Sequence, residues 1–142
     1  IDKSKELSAS IGLLIQAEFY GTVGENAPVS IDYIPPLGDG MDYTSLELLL
    51  LSLTSCIGSA ILTFLRKMNK TIIACEIHAT GSRKEEHPTG FKSILVEICL
   101  KSPDVAEDDM KKVISMSEDK YCPVWSMLKG NTDIEVRFSI NQ

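Results

Sequence analysis

Apolar and polar residues along the chain mark out strands and helices in turn. Short β-prone runs over Ser8 to Tyr20 and Val29 to Ile34 are separated by Gly21, Gly24, Asn26 and Pro28, which favour turns, so a hairpin or meander is expected. Pro35-Pro36-Leu37-Gly38-Asp39-Gly40 then combines two prolines, which lack donors, with two glycines, and reads as a loop. From Leu46 to Leu65 the chain is LELLLLSLTSCIGSAILTFL, in which Glu47 is the only charge. Thr44-Ser45-Leu46-Glu47 fits a capping box with Thr44 as N-cap, and Arg66, Lys67 and Lys70 suit the negative end of a helix that stops near Met68-Asn69.

A run of this length and apolarity meets the criterion for a transmembrane helix. Ser52, Thr54, Ser55, Ser59 and Thr63 are scattered through it, no aromatic belt flanks it, and the strands elsewhere need an apolar partner. The expectation is a helix buried on nearly every side, the central rod of a core, and no membrane span.

Two strands are expected next, Thr71 to Thr80 and Phe91 to Lys101, joined as a hairpin by the polar loop GSRKEEHPTG. In the second, Ile94, Val96, Ile98 and Leu100 alternate with Ser93, Leu95, Glu97 and Cys99, giving one apolar face. Ala106 to Asp119 carries Met110, Val113, Ile114 and Ser117 at helical spacing, the mark of an amphipathic surface helix. Tyr121-Cys122-Pro123 interrupts it; Pro123 suits the first position of a short helix over VWSMLKG, which Gly130 can end. Ile134, Val136, Phe138 and Ile140 alternate with polar residues in a closing strand. The class is α+β, with one domain expected over residues 1–142.

Composition narrows the function. Twenty acidic residues against 14 Lys and Arg give a net charge of −6, which argues against a surface for nucleic acid. Four cysteines without a close pair are too few for a disulfide scaffold and lack the spacing of a zinc site. The first residues, IDKSKELSAS, lack the apolar run of a signal peptide, and a reducing, cytoplasmic setting is expected.

The cysteines differ in their prospects as nucleophiles. Cys75 shares parity with Ile73 and Ile77 and is expected to point into the core as a small hydrophobe. Cys99, beside Glu97, falls on the opposite face from Ile98. His78 is three residues from Cys75, which on a strand sends the two to opposite faces, and His87 lies in a polar loop, so no metal site is expected. Cys122 directly precedes Pro123 at an expected N-cap, where free N–H groups favour a thiolate. Cys56 lies midway along the apolar run, where desolvation works against a thiolate unless a cation or hydrogen bond compensates.

The string SLELLLLSLTSC ending at Cys56, and KYCPV around Cys122, together resemble the OsmC/Ohr family of thiol-dependent peroxidases, most closely its YhfA-like branch. The resemblance runs from about Asp32 to the end of the chain. It implies that Cys56 is the peroxidatic and Cys122 the resolving cysteine, that the pair lies close enough to form a disulfide, and that no metal, haem or flavin is needed. It also implies organic hydroperoxide and a dithiol reductant as reactants, and an OsmC-like fold in which antiparallel sheet wraps the long buried central helix, as an intertwined homodimer with two sites at the interface. The family's activating arginine has no counterpart, since the cations before Arg66 are Lys3 and Lys5. The family glutamate ten residues before the cysteine falls at Leu46; Glu47, nine before, is about 180° around an ideal helix from Cys56 and reads as a capping residue. An alternative within the fold is a dimeric binding or redox-sensing protein with an apolar interface pocket and no turnover.

Overall fold

The computed structural model describes residues 6–142, so Lys3 and Lys5 lie outside the described residues. The chain divides into two compact units, one ending at Leu48 and the other running from Leu49 to Gln142.

The first unit is the expected meander: β1 (Ser10–Ile15), β2 (Glu18–Thr22) and β3 (Val29–Ile31) pair antiparallel in that order. The β-prone run from Ser8 to Tyr20 is two strands, because the chain reverses at Gln16-Ala17, with Ile15 opposite Glu18 and Gln16 in the left-handed region at φ 50°. No glycine or asparagine marks that turn in the sequence. After β3 the buried Asp32 carboxylate accepts the N–H groups of Tyr33 at 2.7 Å and Asp39 at 3.2 Å and so organises the proline-rich loop. Gly38 is needed there, since a Cβ would stand 2.2 Å from an Asp32 oxygen. β1 buries neither face: Ile11, Leu13, Leu14 and Ile15 are all more than half exposed.

The long helix α1 (Ser45–Lys67) begins at the end of this unit and continues into the second. Its capping box forms as expected: the Glu47 carboxylate accepts the Thr44 N–H at 2.8 Å, and the Thr44 hydroxyl accepts the Glu47 N–H at 3.3 Å. Within one chain α1 is buried along a single stripe, Leu53, Ile57, Ala60, Ile61 and Leu65, instead of on nearly every side. Its opposite flank presents Ser52, Ser55, Ser59 and Thr63. There the hydroxyls of Ser55 and Thr63 donate to the carbonyls of Ser52 and Ser59, so short polar side chains satisfy themselves on the helix backbone.

In the second unit, β4 (Ala74–Arg83), β5 (Phe91–Lys101) and β6 (Asp133–Ile140) form a sheet in that order. The β4–β5 hairpin is as expected except that β4 starts and ends three residues later, its end tied down by the Arg83 guanidinium, which donates to the Thr89 carbonyl and hydroxyl. β5 pairs with β6 in parallel, so the sheet is mixed. The crossover between them is α2 (Glu107–Met116), a π-helical turn over Ser117–Tyr121, and α3 (Pro123–Leu128). The π turn replaces the last part of the single helix expected over Ala106 to Asp119, with Ser117 buried and its hydroxyl donating to the Val113 carbonyl at 2.7 Å. Ile94, Val96, Ile98 and Leu100 are buried as the alternation predicts. Ile77, Ile98 and Phe138 share a row on that face, and Ile77 meets α1 at Gly58, where an added Cβ would stand 2.9 Å from the Ile77 Cδ1. Helix α1 therefore lies on the apolar face of this sheet.

Candidate functional site

Cys56 is half-buried on α1, one residue from the buried stripe at Ile57 and next to the small polar flank at Ser55. Cys122 is 1% exposed, at the join of the π turn and α3. Its N–H donates to the Ser117 carbonyl at 2.9 Å, its own carbonyl accepts the Ser126 N–H at 3.0 Å, and Pro123 fixes the first position of α3. The two cysteines, 66 positions apart (122 − 56), are neighbours in the fold, near enough for Cys56 to bear on the Cys122 thiol.

Burial, and then the neighbouring Cys56 side chain, push the Cys122 thiol up to about 12. The N–H groups of Trp125 and Val124 act in the opposite direction and are outweighed. The N-cap position of Cys122 is thus as expected, whereas a readily formed thiolate there is not: desolvation of a fully enclosed sulfur exceeds what the first amides of a six-residue helix return. Cys122 holds its proton at neutral pH.

The other cysteines stand apart from this pair. Cys75 shares the face of Ile77, but on the edge strand β4 it is half-buried, and Ile73, which precedes the strand, is 69% exposed; the core placement expected for Cys75 is only partial. Burial and then the charge of Cys99 push the Cys75 thiol up. Cys99 lies opposite Glu76 and Ser139 on the other sheet face. His78 is exposed there, with Nε2 3.5 Å from Glu76, and His87 is exposed in the hairpin loop. Among the described residues no group of three or more His, Cys, Asp or Glu side chains could hold a metal ion.

Glu47 is committed to its cap, where the Thr44 N–H and hydroxyl hold its carboxyl below the usual glutamate range. Arg83 is tied to Thr89, and Arg137 forks onto Glu135 at 3.1 and 3.3 Å on the sheet face away from α1. Arg66 is ten residues and about 15 Å along the helix from Cys56. One feature was invisible in the sequence: Phe64 of α1 packs against Tyr121, the neighbour of Cys122, with ring centroids 4.7 Å apart, and the Lys67 ammonium lies 5.6 Å from the Phe64 centroid. That contact fixes the π turn against the helix that carries Cys56. An open groove runs along the free edge of β6, lined by Val136, Phe138 and Ile140 together with Glu107 and Arg137; neither cysteine of the pair lines it.

The comparisons with known proteins agree with this architecture. Residues 38–137 match the family described as OsmC-like protein. Protein YhfA of Escherichia coli K12 is 24% identical over 95 residues, which cover 67% of this chain and 71% of YhfA. The crystal structure of an OsmC-like protein from Mycoplasma pneumoniae superposes with a TM-score of 0.84 at 20% identity, covering 97% of this chain and 99% of that one. An organic hydroperoxide resistance protein from Elizabethkingia anophelis superposes with a TM-score of 0.73 at 17% identity, covering 99% of this chain and 100% of that one. Strand order, long helix, cysteine pair and the match from Gly38 to Arg137 converge: the chain belongs to the OsmC-like (OsmC/Ohr) family.

Proposed function

We propose that this protein is a thiol-dependent peroxidase that reduces organic hydroperoxides, with Cys56 as the reacting and Cys122 as the resolving cysteine. The observation that carries the reading is the meeting of a half-buried thiol with a fully buried one across 66 positions of sequence. In the cycle, the Cys56 thiolate attacks the O–O bond of ROOH; sulfur takes the terminal oxygen and the alkoxide leaves, to be protonated to ROH. The Cys122 sulfur then displaces hydroxide from the Cys56 sulfenic acid, the Cys122 proton leaves with that hydroxide as water, and a Cys56–Cys122 disulfide remains. A dithiol reduces it to two thiols and is itself oxidised to a disulfide. The chemistry needs no metal, haem or flavin, and a reducing cytoplasm suits it. Resemblance to a hydroperoxide resistance protein supports the substrate class.

The same reading includes a homodimer. A strand apolar on two exposed faces, and a long helix buried along one stripe, leave more apolar surface than a stable monomer exposes. A second reading, a redox sensor of the same fold without rapid turnover, is favoured by the engagement of Glu47, Arg83 and Arg137 in contacts of their own. A stopped-flow assay with cumene hydroperoxide and a dithiol separates the two. The peroxidase reading expects turnover that Cys56→Ser abolishes and that Cys122→Ser reduces to a single oxidation of Cys56. Stoichiometric oxidation of the wild type without turnover favours the sensor, and no reaction at Cys56 sinks both.

A further inference from the structure

We propose that Tyr121 is a positioning residue for the second thiol step: its ring, packed on Phe64 of α1, holds the turn that leads into Cys122 in place for closure onto Cys56. The inference rests on the reading of Cys56 and Cys122 as reacting and resolving cysteines, and adds a residue whose effect falls on closure alone.

Cys122 joins two short helical pieces. On its C-terminal side Pro123 starts α3, which the buried Trp125 anchors. On its N-terminal side is the π turn Ser117–Tyr121, closed by the Cys122 N–H on the Ser117 carbonyl at 2.9 Å. The Ser117 hydroxyl ties that turn back to α2 through the Val113 carbonyl at 2.7 Å. A π turn is one residue wider than an α turn, a form that recurs at functional sites. These bonds anchor the turn to α2 and α3, while the thiol that Cys122 has to meet is on α1.

The link to α1 is aromatic. Phe64 and Tyr121 meet with ring centroids 4.7 Å apart and planes inclined at 53°, a favourable tilted geometry, and the Lys67 ammonium stands 5.6 Å from the Phe64 centroid. Phe64 lies eight residues beyond Cys56 (64 − 56). On an ideal helix that is about 12 Å along the axis and about 80° around it, so both residues sit on one side of α1. Helical side chains lean toward the N-terminus, here the direction of Cys56. From Tyr121 the chain reaches Cys122 in one Cα step of about 3.8 Å. Docking Tyr121 on Phe64 therefore keeps the resolving cysteine beside the helix it must attack, which raises its effective concentration there. Tyr121 is nonetheless 40% exposed, so its ring can be replaced without opening a core cavity.

The test applies dithiodipyridine, without peroxide, to reduced protein carrying Cys75→Ala and Cys99→Ala. The Cys56 thiolate breaks the S–S bond of the reagent, forms a mixed disulfide and releases one thiopyridone. The Cys122 sulfur then attacks the Cys56 sulfur, gives up its proton and releases a second thiopyridone, leaving the Cys56–Cys122 disulfide. The first absorbance phase scales with reagent concentration and the second does not. Tyr121→Ala is expected to leave the first phase at the wild-type rate and to slow the second about fivefold, as the loss of an aromatic pair of ordinary strength would. Tyr121→Phe, which keeps the ring, should restore the wild-type rate. Phe64→Ala should match Tyr121→Ala, and the double variant should be no slower than either. A merely structural role would slow both phases together or neither. An unchanged second phase in Tyr121→Ala, or equal slowing of both phases, overturns the proposal; should that variant fail to fold, an unchanged second phase in Tyr121→Leu overturns it as well. If the second phase slows as expected while cumene hydroperoxide is not turned over, the positioning role stands and only the peroxidase reading falls.

Discussion

At the scale of single residues, the protonation of Cys122 couples stability to pH. Its folded value, pushed up to about 12, lies above that of the unfolded thiol, so the folded state binds the proton more tightly. The stabilisation is fully present below the unfolded value of about 8.5 and is lost as pH rises from there toward the folded value. The difference in melting temperature between the wild type and Cys122→Ala should therefore shrink as pH is raised past 9; a constant difference would mean that Cys122 titrates as an ordinary thiol. Glu47 makes the opposite kind of claim, a structural one. Bonded reciprocally to Thr44, it caps α1, so Glu47→Gln should leave the rate and pH profile of Cys56 alkylation unchanged while lowering stability slightly. A slower alkylation would place Glu47 in the site after all. This pairing was legible because a capping box spans four residues, whereas the meeting of Phe64 with Tyr121 depends on a fold that no local pattern encodes.

Between elements, the decisive contact is Gly58 of α1 against Ile77 of β4. Gly58→Ala should cost on the order of 1–3 kcal/mol by forcing helix and sheet apart, and Ile77→Val, which deletes the obstructing methyl, should recover part of the loss; additive melting shifts for the two changes would refute the close approach. The helix and the hairpin could be read from hydrophobic period and turn residues. Three other features could not. The turn at Gln16-Ala17 lacks the residues that announce turns. The π turn is one widened coil, too short to disturb the apolar spacing that extends the α2 pattern to Asp119. The parallel pairing of β5 with β6 follows from the crossover, since an alternating strand looks the same in either direction. Even the cysteine pair was legible only through its flanking motifs, because its members sit on a helix and on that crossover.

For the molecule as a whole, β1 exposes apolar residues on both faces, a surface that a second copy would cover in the proposed dimer. Sedimentation equilibrium is expected to give about twice 15.6 kDa, and a clean monomer at micromolar concentration would reject the intertwined assembly. The route of the chain between the two cysteines has a separate outcome. From Cys56 it runs down α1, through the whole β4–β5 hairpin and across α2 before reaching Cys122. A crosslink between them would hold most of the C-terminal unit in one closed ring. Ring closure of that length takes about 4 kcal/mol of conformational entropy from the denatured chain, so the oxidised protein should melt roughly 10 °C higher than the reduced one, and an equal or lower melting point would show that the bond strains the native fold. By linkage, whatever the crosslink adds to folding, folding adds to the crosslink. The same bond would be far easier to reduce in the unfolded chain, and the melting temperature would serve as a gauge of the protein's redox state.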